Sequence, residues 1–86
     1  MTSYSLTFAR SARKELQALD RDIADRILEA IEALILQPRP PGCKKLRGGG
    51  ALWRIRVSDY RVVYGIDDDE KVVDIVVIRH RSDVYR

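Results

Sequence analysis

The sequence predicts an α+β domain in which an N-terminal strand and a helical hairpin pack on one face of a small, mainly antiparallel four-stranded sheet. Three observations predict it. Apolar residues alternate with polar ones at residues 4–8 and again at 52–57, the period of a half-buried strand. Between those stretches they recur every three or four residues, the period of a helix with one buried face. Pro38, Pro40, Pro41 and Gly42 then separate a helical half from a β-rich half. Eighty-six residues make one domain, 1–86, because a second would leave each half too small to fold unaided.

Each element follows in order. Tyr4, Leu6 and Phe8 point one way and Ser3, Ser5 and Thr7 the other. Ser11 is a candidate cap for a first helix, with Lys14 and Glu15 in its first turn and Leu16 and Leu19 on its apolar side. Asp20 or Asp22 caps a second, where Ile23, Ile27, Ala30, Ile31, Leu34 and Ile35 form a stripe about four turns long. The prolines stop it. Trp53, Ile55 and Val57 then share one strand face, and Arg54 and Arg56 the other. Residues 60–66 and 71–79 are β-branched runs joined by the acidic turn Asp67, Asp68, Asp69, Glu70. Ser58 and Asp59 are a connection short enough for an antiparallel hairpin, which gives a three-stranded meander joined by residues 4–8 as a fourth strand. Gly48, Gly49 and Gly50 read as a flexible turn, too short for a linker.

Composition narrows the class. With 45% apolar residues the chain can bury a core, so disorder is not expected. Its one cysteine, Cys43, allows neither an internal disulfide framework nor a cysteine-based zinc site, and suits a reducing compartment. No apolar run approaches the ~18 residues of a membrane span. Arg10, Arg13, Lys14 and Glu15 stand where a signal peptide would be apolar, so a cytoplasmic protein with no membrane partner is expected. The net charge of +3 is unevenly spread. Residues 9–37 carry −1, residues 38–61 carry +6 with Asp59 their only acid, residues 67–74 carry −4 and residues 79–86 carry +2. Such blocks concentrate potential on one surface, which matters most to a polyanionic partner.

The candidate chemistry lies in the arginines. Arg54 and Arg56, two apart on a strand, project from one face; Arg61 opens the next strand; Arg79 and Arg81 share a face at the end of the last. Five guanidinium groups converging on the sheet surface left open by the helices would make a basic depression able to clamp phosphates bidentately. Strand arginines facing water also solvate a sheet and guard its edge, and both readings stand on sequence grounds. The glycine run leads into a strand, not a helix, and so is no phosphate-cradling loop. His80 is the single histidine, and no metal site or cofactor is expected around it. Trp53, Tyr60 and Tyr64 read as core. Tyr85, beside the basic C-terminal stretch, is a candidate to accept a ribose hydroxyl proton or to stack on a base.

In order and spacing, the stretches Lys44-Lys45-Leu46-Arg47-Gly48, Trp53-Arg54-Ile55-Arg56-Val57, Asp59-Tyr60-Arg61-Val62-Val63-Tyr64 and Arg79-His80-Arg81-Ser82-Asp83-Val84-Tyr85 resemble the RelE toxins of bacterial type II toxin–antitoxin systems, part of the RelE/ParE superfamily. The resemblance spans nearly the whole chain. The basic strand pair and the closing Arg-x-Arg-Ser-x-x-Tyr point to the superfamily's RNA-cleaving branch. It implies a metal-independent endoribonuclease without cofactor that enters the 30S A site of the ribosome and cuts mRNA by attack of a 2′-hydroxyl on the adjacent phosphate. It assigns Arg54 and Arg56 to orienting the phosphate, Arg61 to contacting it, Arg79 to charge stabilisation and protonation of the leaving oxygen, and Tyr85 to general base and stacking. Lys44, Lys45, Arg47 and Arg81 would bind RNA. It also implies a cognate RelB-like antitoxin through which the complex binds its own promoter. Two departures bear on mechanism. Many relatives carry lysine at the strand pair, and arginine there holds its proton near neutral pH, so Arg54 and Arg56 are expected to supply electrostatics only. The chain also stops one residue after Tyr85, so the mobile C-terminal helix of some relatives is not expected. Two other classes remain: a ParE-like inhibitor of DNA gyrase, which would use the same fold without the catalytic set and is opposed by the presence of Arg54, Arg61, Arg79 and Tyr85, and a non-catalytic basic nucleic-acid-binding module in which the arginines only hold polyanions.

Overall fold

A computed structural model describes residues 3–47 and 51–84. Its elements are β1 (Ser5–Phe8), α1 (Arg10–Gln17), α2 (Arg21–Ala33), β2 (Lys44–Lys45), β3 (Leu52–Val57), β4 (Tyr60–Asp67), β5 (Val72–His80) and the short helical turn α3 (Arg81–Val84). The strands form one five-stranded sheet in the order β1-β5-β4-β3-β2, antiparallel except for the parallel pairing of β1 with β5. The expected α+β class holds. The fifth strand is β2, two lysines beyond the proline stop, too short to show a period. Helix α1 packs against β5 and α2 against β3, so both helices cover one sheet face.

Alternation sets that face. Ile55 and Val62 pair across β3 and β4, Val62 pairs with Ile78, and all three are buried with Tyr64, Val73 and Ile75 from the sheet and Ala12, Ile27, Ile31 and Leu34 from the helical side. Tyr4, Leu6 and Phe8 pack against this core, and Ser5 and Thr7 are exposed on the other side. Truncating a buried isoleucine such as Ile31 in a core of this kind costs about 2–5 kcal/mol.

Helix termini depart from the sequence reading. Ser11 does not cap α1; Ala9 is the N-cap residue, with no side-chain cap bond. Ala9 still donates its N–H to the Ile75 carbonyl at 2.8 Å, so the chain turns directly from sheet ladder into helix and Ser11 falls inside. Asp20 is the residue before α2, as expected, though its carboxylate makes no cap bond. The stripe through Ile35 outlasts the α-helix, which ends at Ala33. Leu34, Ile35 and Leu36 donate to carbonyls three residues back, a 3₁₀ tightening ahead of the prolines. Gly42, at φ +91°, then turns the chain into β2, a backbone angle that a side chain would strain. The turn expected at residues 48–50 lies outside the described residues.

A clasp closes the far end of the sheet. Asp67 accepts from the N–H groups of Asp69 and Glu70, both at 3.0 Å, folding the acidic turn between β4 and β5. Asp68 takes bonds from Arg39 (2.9 and 3.3 Å) and from the Tyr4 hydroxyl (2.7 Å). These bonds, Arg39 first, hold its carboxyl below its ordinary value of 3.8. Arg39 also lies 5.0 Å from the centre of the Trp53 ring. Beneath it, the buried Tyr64 hydroxyl donates to the Pro38 carbonyl at 2.7 Å. Burial, and then Cys43, raises that phenol far above its ordinary range.

Candidate functional site

The sheet face away from the helices carries Arg54, Arg56 and Arg61 by alternation, and Arg79 because of one irregularity. A register shift between Val63 and Tyr64 leaves Val63 opposite Val77 but Tyr64 opposite Ile75, so Val76 is an extra residue in β5. Val73 and Ile75 point into the core, and strict alternation would send Val77 and Arg79 after them. The bulge reverses the phase. Ile78 and His80 take the core side instead, and Arg79 comes round to the open face opposite Arg61. Arg61 in turn pairs with Arg56. Three strands therefore line up Arg56, Arg61 and Arg79 in a single rung.

The rung ends at a depression of about 360 Å³ beside the β3–β4 turn. Arg56, Arg61 and Arg81 line it, with Ser58, Asp59 and Ser82. Arg81 reaches it by a route the alternation did not anticipate. Strand β5 ends at His80 and Arg81 opens α3, so Arg81 does not share a strand face with Arg79. Its N–H donates to the Asp59 carbonyl at 2.8 Å, stitching the helical turn to the hairpin turn. Ser58 at that turn has φ +57°, a conformation L-residues other than Asn, Asp and Gly rarely adopt.

The other expected site residues are distributed around this centre. Arg54 sits one rung inward, opposite Val63 and Lys44, and at 9% exposure it is the buried charged residue of the face rather than part of the depression's lining. Lys44, Lys45 and Arg47 are exposed on and just beyond the edge strand β2. Arg79 shares the rung, yet its Nε donates to Glu15 Oε2 of α1 at 3.1 Å, at the edge of the sheet. Tyr85 lies outside the described residues. His80 is on the helix side of the sheet, as alternation from Arg79 requires, its ring edge-on to Tyr60 at 5.2 Å. Its Nδ1 lies 2.8 Å from the Ser82 hydroxyl and 3.2 Å from the Ser82 N–H, so the ring is held against the start of α3. Among the described residues no group of three or more His, Cys, Asp or Glu side chains assembles into a metal-binding cluster.

Sequence reasoning missed Glu15. It is an ordinary helix-surface acid by sequence and meets Arg79 across a separation of 64 residues. A charge on the side of α1 facing the sheet was the available signal.

Such a depression suits a phosphodiester: planar guanidinium groups from two strands and a helical turn, flanked by hydroxyls, at one end of the sheet face away from the helices. A family profile described as the ParE toxin of type II toxin–antitoxin system, parDE, matches residues 6–85. Toxin RelE of Mycobacterium tuberculosis is 36% identical over 84 residues, covering 96% of this chain and 87% of that protein. The mRNA interferase toxin RelE of Escherichia coli K12 is 31% identical over 87 residues, covering 96% and 90%. In a solved structure, the archaeal RelE–RelB complex from Pyrococcus horikoshii OT3, the similar chain has a TM-score of 0.81 at 32% identity, with 93% of this chain and 97% of that one covered. The chain belongs to the RelE/ParE superfamily of type II toxin–antitoxin toxins and is of the RelE type.

Proposed function

We propose that this toxin is a ribosome-dependent endoribonuclease that stops translation by cutting mRNA in the A site. One observation carries the reading: Arg56, Arg61 and Arg81 line a single depression on the uncovered face. The mRNA interferase name of a relative matched over nearly its whole length supports it.

In the reaction, a ribose 2′-oxygen attacks the adjacent phosphorus. The P–O2′ bond forms, the P–O5′ bond breaks, the 2′ proton passes to a base and a proton from water reaches the departing O5′. The products are a 2′,3′-cyclic phosphate and a 5′-hydroxyl, and no metal enters. Negative charge grows on the non-bridging oxygens, where guanidinium donors held in advance on rigid strands bind it more tightly than in the ground state. Arg61 and Arg56 supply those donors across one rung, Arg81 closes over the phosphate from the helical turn, and Arg79 stabilises the leaving oxygen. Arg54, buried one rung in, adds positive potential. A guanidinium keeps its proton near neutral pH, so the proton of the attacking hydroxyl must go elsewhere, and the family resemblance assigns that role to Tyr85 acting as its phenolate, with water or the ribosome assisting. Lys44, Lys45 and Arg47 hold ribosomal RNA along the edge strand.

In the cell this reading gives the toxin a cytoplasmic site of action and a RelB-like antitoxin, as in the archaeal complex, through which the pair binds its own promoter. A message broken in a translating extract by the wild-type chain, with cleavage about 10²-fold slower for Arg61→Ala and Tyr85→Phe, is the expected result. Inhibition of DNA gyrase supercoiling with the message intact would replace this reading by the gyrase-directed one. RNA retention without product would leave a binding module.

A further inference from the structure

We propose that Glu15 is a positioning residue for Arg79, an inference that rests on the endoribonuclease reading. Strand β1 covers the outer edge of β5 only as far as Ile75. Beyond it the edge passes under α1, where one carboxylate grips two consecutive residues. Glu15 Oε1 accepts the backbone N–H of Ile78 at 3.1 Å and Oε2 accepts Arg79 Nε at 3.1 Å. The first bond ties the carboxylate to the rigid strand, and the second thereby fixes the direction in which Arg79 leaves it.

Two features make this more than an edge cap. Arg79 stands directly opposite Arg61, which is itself opposite Arg56, and like charges facing each other across strands repel. Glu15 supplies Arg79 with a counter-charge at the outer end of the rung, where Arg79 lines a hollow with Glu15, Ala18 and Leu19 next to the depression of Arg56, Arg61 and Arg81. Its contact is through Nε, which leaves the terminal fork of Nη1 and Nη2, with four N–H donors, for another anion. The arrangement suits a guanidinium that must meet a phosphate in one orientation, since misplacing a catalytic group by about 1 Å can slow a reaction by about 10²-fold.

Glu15→Gln separates positioning from edge capping, because the amide oxygen still accepts from Ile78 N–H while the charge and the second carboxylate oxygen are gone. In ¹H–¹⁵N spectra of the isolated toxin, the Arg79 Nε–H resonance, assigned by its loss in Arg79→Ala, is expected to exchange slowly in the wild type and to merge with those of solvent-exposed arginines in Glu15→Gln. In the translating extract, turnover is expected to fall about tenfold with KM for the message unchanged, and Glu15→Gln is expected to add nothing in an Arg79→Ala background. Glu15→Asp, which keeps the charge but cannot span both partners, is expected to lie between. An unchanged Nε–H resonance, unchanged turnover, or a full tenfold loss on top of Arg79→Ala would each overturn the proposal. A wild-type chain that cuts no message would remove the endoribonuclease reading itself, while the spectra would still report whether Glu15 orients Arg79.

Discussion

The two ends of β4 use arginine in opposite ways. At the Asp67 end, Arg39 meets a carboxylate through two nitrogens and stacks on Trp53, and the acidic turn supplies its counter-charge. At the Tyr60 end, Arg56, Arg61 and Arg81 share one depression in which Asp59 is the acidic residue of the lining. Both ends are arginine-bearing, and the groups gathered around the arginines distinguish a clasp from a basic depression. A guanidinium set against one carboxylate has its charge met locally, whereas several gathered around one concavity add their potentials there, the property on which the proposed cleavage rests.

The sharpest way to break this comparison is to remove one arginine from each end. Arg61→Ala is expected to slow message cleavage by about 10²-fold, read as fragment yield per unit time, while the thermal midpoint stays close to that of the wild type. Arg39→Ala is expected to do the reverse, lowering the melting temperature by a few degrees and leaving cleavage as it was. Equal loss of cleavage in both variants would erase the distinction.

Beneath the clasp, Tyr64→Phe removes the donor to the Pro38 carbonyl and is expected to destabilise the fold by about 1–2 kcal/mol in urea unfolding. Acid acts on the same end. Because the Asp68 carboxyl is held below 3.8 in the folded chain, its stabilising effect is full above that value and is lost as pH falls through the lower folded one. Unfolding followed from pH 6 to pH 2 should therefore show a steeper acid loss in the wild type than in Asp68→Asn. The smallest effects belong to the two turns, where Ser58 and Lys71 both have φ +57°. Ser58→Gly is expected to stabilise by about 0.5–1 kcal/mol through relief of that angle. Lys71→Gly is expected to gain less, since it also loses the contact of the ammonium with the Tyr4 ring at 5.2 Å.

Strands β3 and β4 were legible in the sequence because every second residue obeys one rule from Trp53 to Val57 and from Tyr60 to Ile66. The helical hairpin was legible because Ile27 and Ile31 lie one turn apart, and the proline stop needed only local sterics. The phase of β5 was not. Nothing in the run Val72 to Ile78 marks Val76 as the residue in excess, since all its neighbours are apolar and β-branched apart from Asp74; the bulge becomes visible only against the partner strand. The gathering of Arg56 and Arg61 followed from strand geometry alone. Arg81 joined them through a helical turn that a run of four residues does not announce, and Arg54 was hidden by burial that alternation cannot report. Glu15 showed only its place on the sheet-facing side of α1; its partner, 64 residues on, left no spacing to read.

The most direct test of the claim that clustered guanidinium groups drive attack by a ribose hydroxyl is the chemistry of the ends left on a message cut during translation. A 2′,3′-cyclic phosphate on each upstream fragment and a 5′-hydroxyl on each downstream one, both forming about 10²-fold more slowly in Arg61→Ala, is the outcome this structure predicts. Fragments bearing a 3′-hydroxyl and a 5′-phosphate would contradict it.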